Sequence, residues 1–308
     1  MNRIIVTHKA PDLDAVASSW IVKRFLPGWE NAEVKTVPAG NKLVGNYTAS
    51  GEAIETVDGA EVIHVDTGMG KLDHHQDKDD SICATKLAFE YVLSFENENG
   101  LLPNKHKREA LRRIVEYVVD DDHFQEVFYE NPESDAYDMS IVGLLHGIKL
   151  LYPKEDETTV KFGMDLLDAA LHEMESKVHA EEEIKEKGIR FDTKWGKGLA
   201  VESANDAIMK LAQTLGYVIS VRKDPDTQSI RIKARPARRK GREFPEGVLE
   251  DVDVDLGEVY EKLKKMDPDA TWFNHISGRM LLNGSSKNPT MKGTKLSLAE
   301  VVEVLQNL

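Results

Sequence analysis

Three short segments of the sequence carry histidine and aspartate at spacings that suit a metal centre. They read "THKAPDLDA", "VDTG" and "KLDHHQ". Their candidate ligands are His8, Asp12, Asp14, Asp66, Asp73, His74 and His75. Imidazole and carboxylate together suit a borderline-to-hard divalent cation such as Mn²⁺, and the absence of a cysteine pattern argues against structural zinc. The segments therefore predict a site for a divalent metal.

Each of these residues also has an ordinary structural explanation when it is taken alone. His8 can cap a strand end, Asp12 and Asp14 can cap the helix that begins at Ala15, and Asp66 can form a turn. Those explanations do not account for four carboxylates and three histidines that converge on the same edge of the predicted sheet. The convergence therefore favours a functional site.

Alternating strands and helices predict the elements that must position these side chains. The predicted strands are 4–6, 34–37 and 62–65, and the predicted helices are 15–25, 85–95 and 107–119. This alternation is typical of a parallel α/β sheet. Open parallel sheets bind ligands at the carboxyl ends of their strands, which is where His8 and Asp66 fall.

The second half of the chain has a different pattern. One or two long helices are expected over 155–187, ending in the acidic tract "HAEEEIKEKG", which we interpret as a solvated helix face. From about residue 191 the pattern indicates a smaller α+β domain, with a hairpin whose turn is "KDPDTQ". We therefore expect two domains, 1–190 and 191–308, with a helical connector over about 155–190 and the active site in the cleft between them.

The order and spacing of the three segments resemble the DHH phosphoesterase family. Its first motif, His-x-x-x-Asp-x-Asp, matches His8, Asp12 and Asp14. Its second motif matches Asp66, and its third is the run Asp73-His74-His75 itself. The fourth motif is an aspartate, which here must lie within "VDDDH" at 119–123. The apolar pair 118–119 and the following Phe124 favour Asp120, whereas the helical face through Leu111, Val115 and Val118 favours Asp122. We assign the fourth motif to Asp120, with Asp122 as the reserve assignment.

The resemblance implies a two-metal centre. His8, Asp12 and Asp66 would hold one ion, and Asp14, Asp66, His74 and the fourth-motif aspartate would hold the other. Mn²⁺ is the expected metal, with Mg²⁺ or Co²⁺ as alternatives. Two cations about 3.5–4 Å apart lower the pKa of a bridging water and stabilise the attacking and leaving oxygens at phosphorus. His75 would contact the scissile phosphate, and Asp73 would orient a histidine or lie near the metals.

A basic patch and a histidine-containing turn are the candidate substrate contacts in the second domain. The bases of this patch are Arg231, Lys233, Arg235, Arg238, Arg239, Lys240 and Arg242. They form either a charged hairpin or a phosphate-binding surface, for which Arg235 and Arg238 are the candidates. The segment "NHISGRMLLNGSS" looks like a divergent DHH-associated type 1 domain, and implies substrate contacts at His275, Ser277 and Gly278. It is also similar to the ending of the metal-dependent protein hydrolase branch, related to melanocyte-proliferating-gene exonucleases, which shares the "DHHQ" extension.

Composition limits the classes of partner. Acids outnumber bases 54 to 40, for a formal net charge of −14. Such a charge argues against binding long duplex nucleic acid but permits a small phosphorylated or oligonucleotide substrate. A single cysteine and the lack of a signal peptide or a long apolar run predict a soluble cytoplasmic protein without a membrane partner. A homodimer is compatible with the sequence.

The expected function is Mn²⁺-dependent hydrolysis of phosphoester bonds in short oligonucleotides or small nucleotides, by an enzyme of exonuclease, nanoRNase or phosphodiesterase type. Two alternatives remain. One is a pyrophosphatase or polyphosphatase, whose relatives usually carry a different second domain. The other is a non-catalytic regulator that binds metal or nucleotide.

Overall fold

The computed structural model describes residues 2–48, 52–95, 104–238, 251–285 and 287–308. The chain forms two compact units, Met1–Glu175 and Ser176–Leu308. Both are mixed α/β, and each contains one sheet. The sequence predicted a boundary near residue 190, just after the end of a long helix, Asp156–Lys187, that runs through the division.

The first sheet combines parallel and antiparallel strands in the order β2-β1-β5-β4-β3. Its strands are β1 (Arg3–His8), β2 (Glu33–Val37), β3 (Tyr47–Thr48), β4 (Ile54–Val57) and β5 (Ala60–His64). The three predicted strands pair in parallel, β1 lying between β2 and β5. The other two are antiparallel, so the prediction of a parallel sheet is correct for only part of it.

The antiparallel part follows from a two-residue turn. Asp58 and Gly59 both have positive φ, 48° and 82°, and they join the paired residues Val57 and Ala60. An Asp-Gly pair accommodates two left-handed residues and therefore favours a tight hairpin. This turn reverses the chain directly into β5.

Several helices accompany this sheet in the first unit. They are α1 (Leu13–Phe25), α2 (Ala84–Ser94), α3 (Lys105–Asp122), α4 (Asp135–Asp138), α5 (Ile141–Leu151) and the start of α6 (Asp156–Lys187). Residues 13–22 of α1 are all buried, because α1 packs against β1, α2 and α3. The predicted helices 15–25, 85–95, 107–119 and 155–187 are confirmed to within three residues at each end. Within the described residues, no helix combines the length and apolarity needed to cross a bilayer.

The second unit holds a six-stranded sheet in the order β10-β11-β9-β8-β7-β6. The strands are β6 (Ile189–Thr193), β7 (Gly196–Glu202), β8 (Ile219–Lys223), β9 (Ile230–Ala234), β10 (Phe273–Asn274) and β11 (Met280–Leu282). Helix α7 (Ala207–Thr214) connects β7 to β8, which pair in parallel, and the remaining pairs are antiparallel. The helices α8 (Gly257–Met266) and α9 (Leu298–Gln306) share one apolar core with the sheet.

Candidate metal centre

The first two motifs meet because β1 and β5 are parallel neighbours. Val6 is in register with His64, and Val65 N–H donates to the Val6 carbonyl at 2.9 Å. The segments that follow β1 and β5 therefore leave the sheet at the same edge. There, His8 Nε2 lies 3.0 Å from Asp66 Oδ2. The sheet topology alone thus brings together two segments 58 residues apart in sequence.

His8 is held with one ring nitrogen directed at carboxylates. Its Nδ1 lies 2.9 Å from the Lys9 carbonyl, which can only accept, so Nδ1 carries the proton in that contact. Nε2 faces Asp66 and also lies 3.5 Å from Asp12 Oδ2. Burial opposes the charged imidazole, but hydrogen bonds to Asp12 and Asp66 outweigh it and raise the pKa of His8 to about 11. A neutral Nε2 in this position is an available ligand atom once a cation replaces the proton.

Asp12 combines a capping role with its place beside His8. Its Oδ1 accepts the Ala15 N–H at 3.0 Å, as an N-cap residue does. Its Oδ2 is the atom that faces His8. Burial raises the pKa of Asp12, but the contacts with His8 outweigh it, and the pKa is lowered. The capping explanation and the ligand explanation are therefore compatible, because they use different oxygens.

A tight loop follows β5 and folds back, so that the third motif lies beside the second. Asp66, Gly68 and Met69 have positive φ of 53°, 81° and 53°. Asp66 N–H then donates to the Leu72 carbonyl at 3.0 Å. A left-handed non-glycine residue is uncommon, and aspartate is among the residues enriched there. This loop places the run that begins at Asp73 next to Asp66.

His74 faces three carboxylates at once. Its Nε2 lies 3.5 Å from Asp66 Oδ1, 3.5 Å from Asp122 Oδ2 and 3.7 Å from Asp14 Oδ2. Interaction with Asp66, together with the charges of Asp122 and Asp14, raises the pKa of His74 to about 9 despite burial. The His74 imidazole is therefore surrounded by a cluster of three carboxylates.

Three of these facing atoms are buried without a hydrogen-bond partner among the described residues. They are Asp66 Oδ1, His74 Nε2 and Asp122 Oδ2. Leaving such atoms unsatisfied is costly, by about 1–3 kcal/mol for each group and more for a charged one. A divalent cation would satisfy all three, because imidazole nitrogen and carboxylate oxygen are both its ordinary ligands. The donor set therefore fits the metal that the sequence implies.

Asp14 is buried against the beginning of α2. It is 2% exposed, and its two oxygens accept the N–H groups of Ala84 at 2.8 Å and Thr85 at 2.7 Å. The helix N-terminus stabilises its charge. Burial is the largest influence on this carboxyl and repulsion from Asp66 and Asp122 is the next; together they raise the pKa of Asp14 to about 7. Burial likewise raises the pKa of Asp122.

The fourth carboxylate at the cluster is Asp122, not Asp120. Asp122 lies on the α3 face that is buried through Leu111, Val115 and Val118, at spacings of three and four residues. Asp120 is two residues away, which rotates it about 200° around the helix, and it lines a different cavity beside Phe89. The structure thus places the reserve residue Asp122, and not Asp120, beside His74, because the helical face and not the flanking apolar pair sets which aspartate points there.

His75 is the exposed member of the histidine pair. Its side chain is 58% exposed, and its Nδ1 lies 2.7 Å from Asp73 Oδ1. Asp73 is 2% exposed and also accepts the N–H groups of Met69 at 2.7 Å and His75 at 3.2 Å. These hydrogen bonds outweigh burial and lower the pKa of Asp73. Asp73 thus orients His75, leaving its Nε2 available to a bound molecule.

Sequence reasoning missed His123. It follows Asp122 and belongs, with His74 and Asp122, to a group whose ligand atoms lie within 4.8 Å of one another. Its Nε2 donates to the Ile82 carbonyl at 2.8 Å, so the ring is fixed by the backbone that leads into α2. The signal was present as the histidine that ends "VDDDH".

In the second unit the structure places His275, Ser277 and Gly278 in a single exposed turn between β10 and β11. His275 Nδ1 and Ser277 Oγ are 2.8 Å apart, and Gly278 N–H donates to the His275 carbonyl at 2.8 Å. Gly278 has a φ of 65°.

The two candidate arginines are partly committed to the protein. The Arg235 side chain donates from Nη1 to the Gly216 carbonyl at 3.2 Å, whereas for Arg238 it is the backbone N–H that donates to Asp251 Oδ1, at 2.8 Å. The predicted bases Arg239, Lys240 and Arg242 lie outside the described residues. Arg231, Lys233 and Arg235 alternate along and just beyond β9, so they share one face of the sheet.

Comparisons with known proteins do not identify the chain. No family model matches it, and no curated protein matches it. A solved structure, an uncharacterized protein from Helicobacter pylori G27, aligns over 100% of both chains at 13% sequence identity with a TM-score of 0.26.

Proposed function

We propose that the chain is a metal-dependent phosphohydrolase of the DHH phosphoesterase type, acting on short oligonucleotides or small nucleotides. In this proposal residues 1–190 form the catalytic domain and residues 191–308 a DHH-associated substrate domain. The observation that carries the proposal is the convergence of three buried, unpartnered ligand atoms, from Asp66, His74 and Asp122, beside His8, Asp12 and Asp14.

The residues divide into two overlapping ligand sets. His8, Asp12 and Asp66 would hold one ion, since their ligand atoms already lie within 4.8 Å of one another. Asp14, Asp66, His74 and Asp122 would hold the second. Asp66 presents Oδ2 to His8 and Oδ1 to His74, so one carboxylate reaches both sets. When bound, two such cations supply Lewis-acid stabilisation of phosphoryl oxygens and an activated water.

The protein's own residues supply orientation and proton control. Asp73 accepts from Nδ1 of His75 and fixes the ring, so the exposed edge of His75 is available to contact a phosphoryl oxygen or a leaving-group oxygen. The Asp14 carboxylate is fixed by the two amides of α2, which leaves it little freedom to reorganise. Such fixed ligands limit the reorganisation needed during the reaction.

Charge favours small substrates. A net charge of −14 repels an extended polyanion, whereas a compact phosphate needs only local neutralisation. Arg235, Arg238 and the turn at His275, Ser277 and Gly278 remain proposed substrate contacts of the second domain.

A substrate panel tests the proposal. The purified chain is incubated with Mn²⁺ and separately with EDTA, against pyrophosphate, 3′-phosphoadenosine 5′-phosphate, cyclic dinucleotides and oligomers of two to five nucleotides. Mn²⁺-dependent release of nucleotide from the phosphoesters supports it. Hydrolysis of pyrophosphate alone favours the phosphoanhydride alternative, and metal binding without hydrolysis of any substrate favours the regulator.

A further inference from the structure

A polar cavity in the second unit is lined by residues between Ala204 and Met291. Its volume is about 410 Å³, within the range of small-molecule sites. Its walls include two arginines, two aspartates and two hydroxyl groups: Arg222, Arg231, Asp206, Asp224, Thr227 and Ser229. Of these six residues, only Arg231 belongs to the basic patch that the sequence offered as a phosphate-binding surface, and the proposed metal centre uses none of them.

The two arginines form a like-charge pair across two strands. Arg222 of β8 is directly in register with Arg231 of β9 in an antiparallel pairing, so both side chains project from the same face. Their side chains are only 6% and 14% exposed. Like charges directly opposite each other destabilise a sheet, and partial burial increases that cost. Something must offset the repulsion.

The nearby carboxylates offset it incompletely. A single oxygen, Asp206 Oδ1, serves both guanidinium groups, at 2.8 Å from Arg222 Nη2 and 3.1 Å from Arg231 Nη1. The Asp206 side chain is 60% exposed, which weakens its effect through solvent screening. Asp224 Oδ2 accepts from Arg222 Nη1 at 3.2 Å, but Asp224 Oδ1 is occupied by the N–H groups of Asp226 and Thr227.

Arg222 also retains unused hydrogen-bonding capacity. Its Nη1 donates to the Ser203 carbonyl at 2.8 Å, which fixes the side chain. Its Nε is buried and has no hydrogen-bond partner among the described residues. The Arg222 side chain is thus 94% buried and keeps one donor without an acceptor beside the cavity that it lines.

Uncharged donors complete the cavity wall. The hydroxyl groups of Thr227 and Ser229 are 2.9 Å apart, and Ser285 and Asn288 line the same space. Gly284 packs so closely that a Cβ there would come within 2.8 Å of Ser229 Cβ. Glycine thus allows the backbone that carries Ser285 to approach the hairpin.

We propose that this cavity binds the phosphate group of a small phosphorylated molecule. A tetrahedral oxyanion offers several acceptor oxygens, so it can engage both guanidinium groups and the hydroxyl groups at once. The cavity is larger than a phosphate ion requires, so the remainder of the ligand would lie against Ala204, Pro289 and Met291. Binding here does not depend on the proposed metal centre or on hydrolysis.

Isothermal titration calorimetry in EDTA tests this site separately from the metal centre. The probes are inorganic phosphate, adenosine 5′-monophosphate, adenosine and acetate, each titrated into the full chain. We expect phosphate and the monophosphate to bind, and adenosine and acetate to bind at least 10-fold more weakly. Absence of phosphate binding, or equal binding of acetate, would overturn the proposal.

Matched variants locate the binding. Arg231→Gln removes a cavity charge and should weaken phosphate binding at least 10-fold, while Arg231→Lys should fall between it and the wild type. Lys197→Gln removes one charge from a side chain that is 77% exposed on the same sheet, and should leave binding unchanged. Thermal melts establish that each variant is folded. Equal affinity in wild type and Arg231→Gln, or an equal loss in Lys197→Gln, would place any bound phosphate elsewhere.

Discussion

Asp66 and His74 face each other across 3.5 Å, with Oδ1 of one and Nε2 of the other both buried and neither hydrogen-bonded within the described residues. A direct hydrogen bond between them would be shorter, near 2.9 Å. Asp122 Oδ2 stands at the same 3.5 Å from His74 and is equally unsatisfied. The proposed cation, held between these atoms, would account for the spacing.

Removal of the shared carboxylate should abolish metal-dependent activity. Asp66 is the only described residue with one oxygen toward His8 and the other toward His74. Asp66→Asn preserves shape but removes the charge, and we expect Mn²⁺-dependent hydrolysis to fall by at least about 10³-fold, as loss of metal stabilisation implies. Asp165→Asn, at an exposed position of α6, is the control and should retain wild-type turnover.

The fourth carboxylate can be identified with two variants of one helix. Asp122→Asn should weaken Mn²⁺ binding by more than about 100-fold, exceeding the effect typical of residues that only support a ligand. Asp120→Asn should leave the affinity unchanged, because Asp120 lies on another face of α3. Calorimetric titration of Mn²⁺ into both proteins measures the difference. Comparable affinities in the two variants would show that Asp122 is not a ligand.

Asp73 should act through His75. Asp73→Asn leaves one accepting oxygen where the carboxylate has two, so the side chain can no longer accept from both the Met69 N–H and His75 Nδ1. We expect kcat to fall by about 10–100-fold with little change in KM. The ¹⁵N chemical shifts of His75 should show loss of the Nδ1-protonated form. Asp77→Asn, in the exposed loop that follows, is the matched control. An unchanged His75 spectrum in Asp73→Asn would refute the positioning role.

The second unit should lose stability in acid through Asp267. This side chain accepts Thr294 Oγ1 at 2.7 Å and the Lys295 N–H at 2.8 Å. The Thr294 hydrogen bond is the main reason that the pKa of Asp267 is lowered, against the opposing effect of burial. A lowered folded-state pKa means that the stabilisation is complete above the unfolded value, about 3.9, and is lost as the pH falls through the folded value.

Urea unfolding measures this contribution. Asp267→Ala should reduce the free energy of unfolding by about 1.5–3 kcal/mol at pH 7, as expected for hydrogen bonds to a charged group. The difference from wild type should shrink below about pH 4, where the carboxylate begins to be protonated in the unfolded chain. Asp269→Ala removes an exposed acid paired with Lys295 and should cost less than about 1 kcal/mol. A difference between wild type and Asp267→Ala that is independent of pH would contradict the linkage.

The sequence contained enough to locate most of the candidate site. His8 and Asp66 follow strands whose periodicity is clear, and parallel pairing of those strands necessarily brings them to one edge. The position of His74 follows from the short loop after Asp66. What pattern alone did not decide was the register of α3, because three consecutive acids occupy different faces of a helix and only packing selects Asp122.

The rest of the fold depended on signals that are weaker or non-local. The Asp58-Gly59 pair is a hairpin signal, yet the strands that it joins are short and half-polar, so β4 was not predicted. The Arg222–Arg231 pairing could not be read from the sequence, since it depends on the register between β8 and β9. The basic patch appeared in sequence as one group, and its first three bases, Arg231, Lys233 and Arg235, do share one face of the sheet.

Anomalous scattering at the manganese edge, from crystals grown with Mn²⁺, tests the two-metal centre most directly. Two peaks are expected, one within coordination distance of His8, Asp12 and Asp66, and the other near Asp14, Asp66, His74 and Asp122. No peak at these residues, or manganese bound only elsewhere on the protein, would contradict the proposed centre and the function built on it.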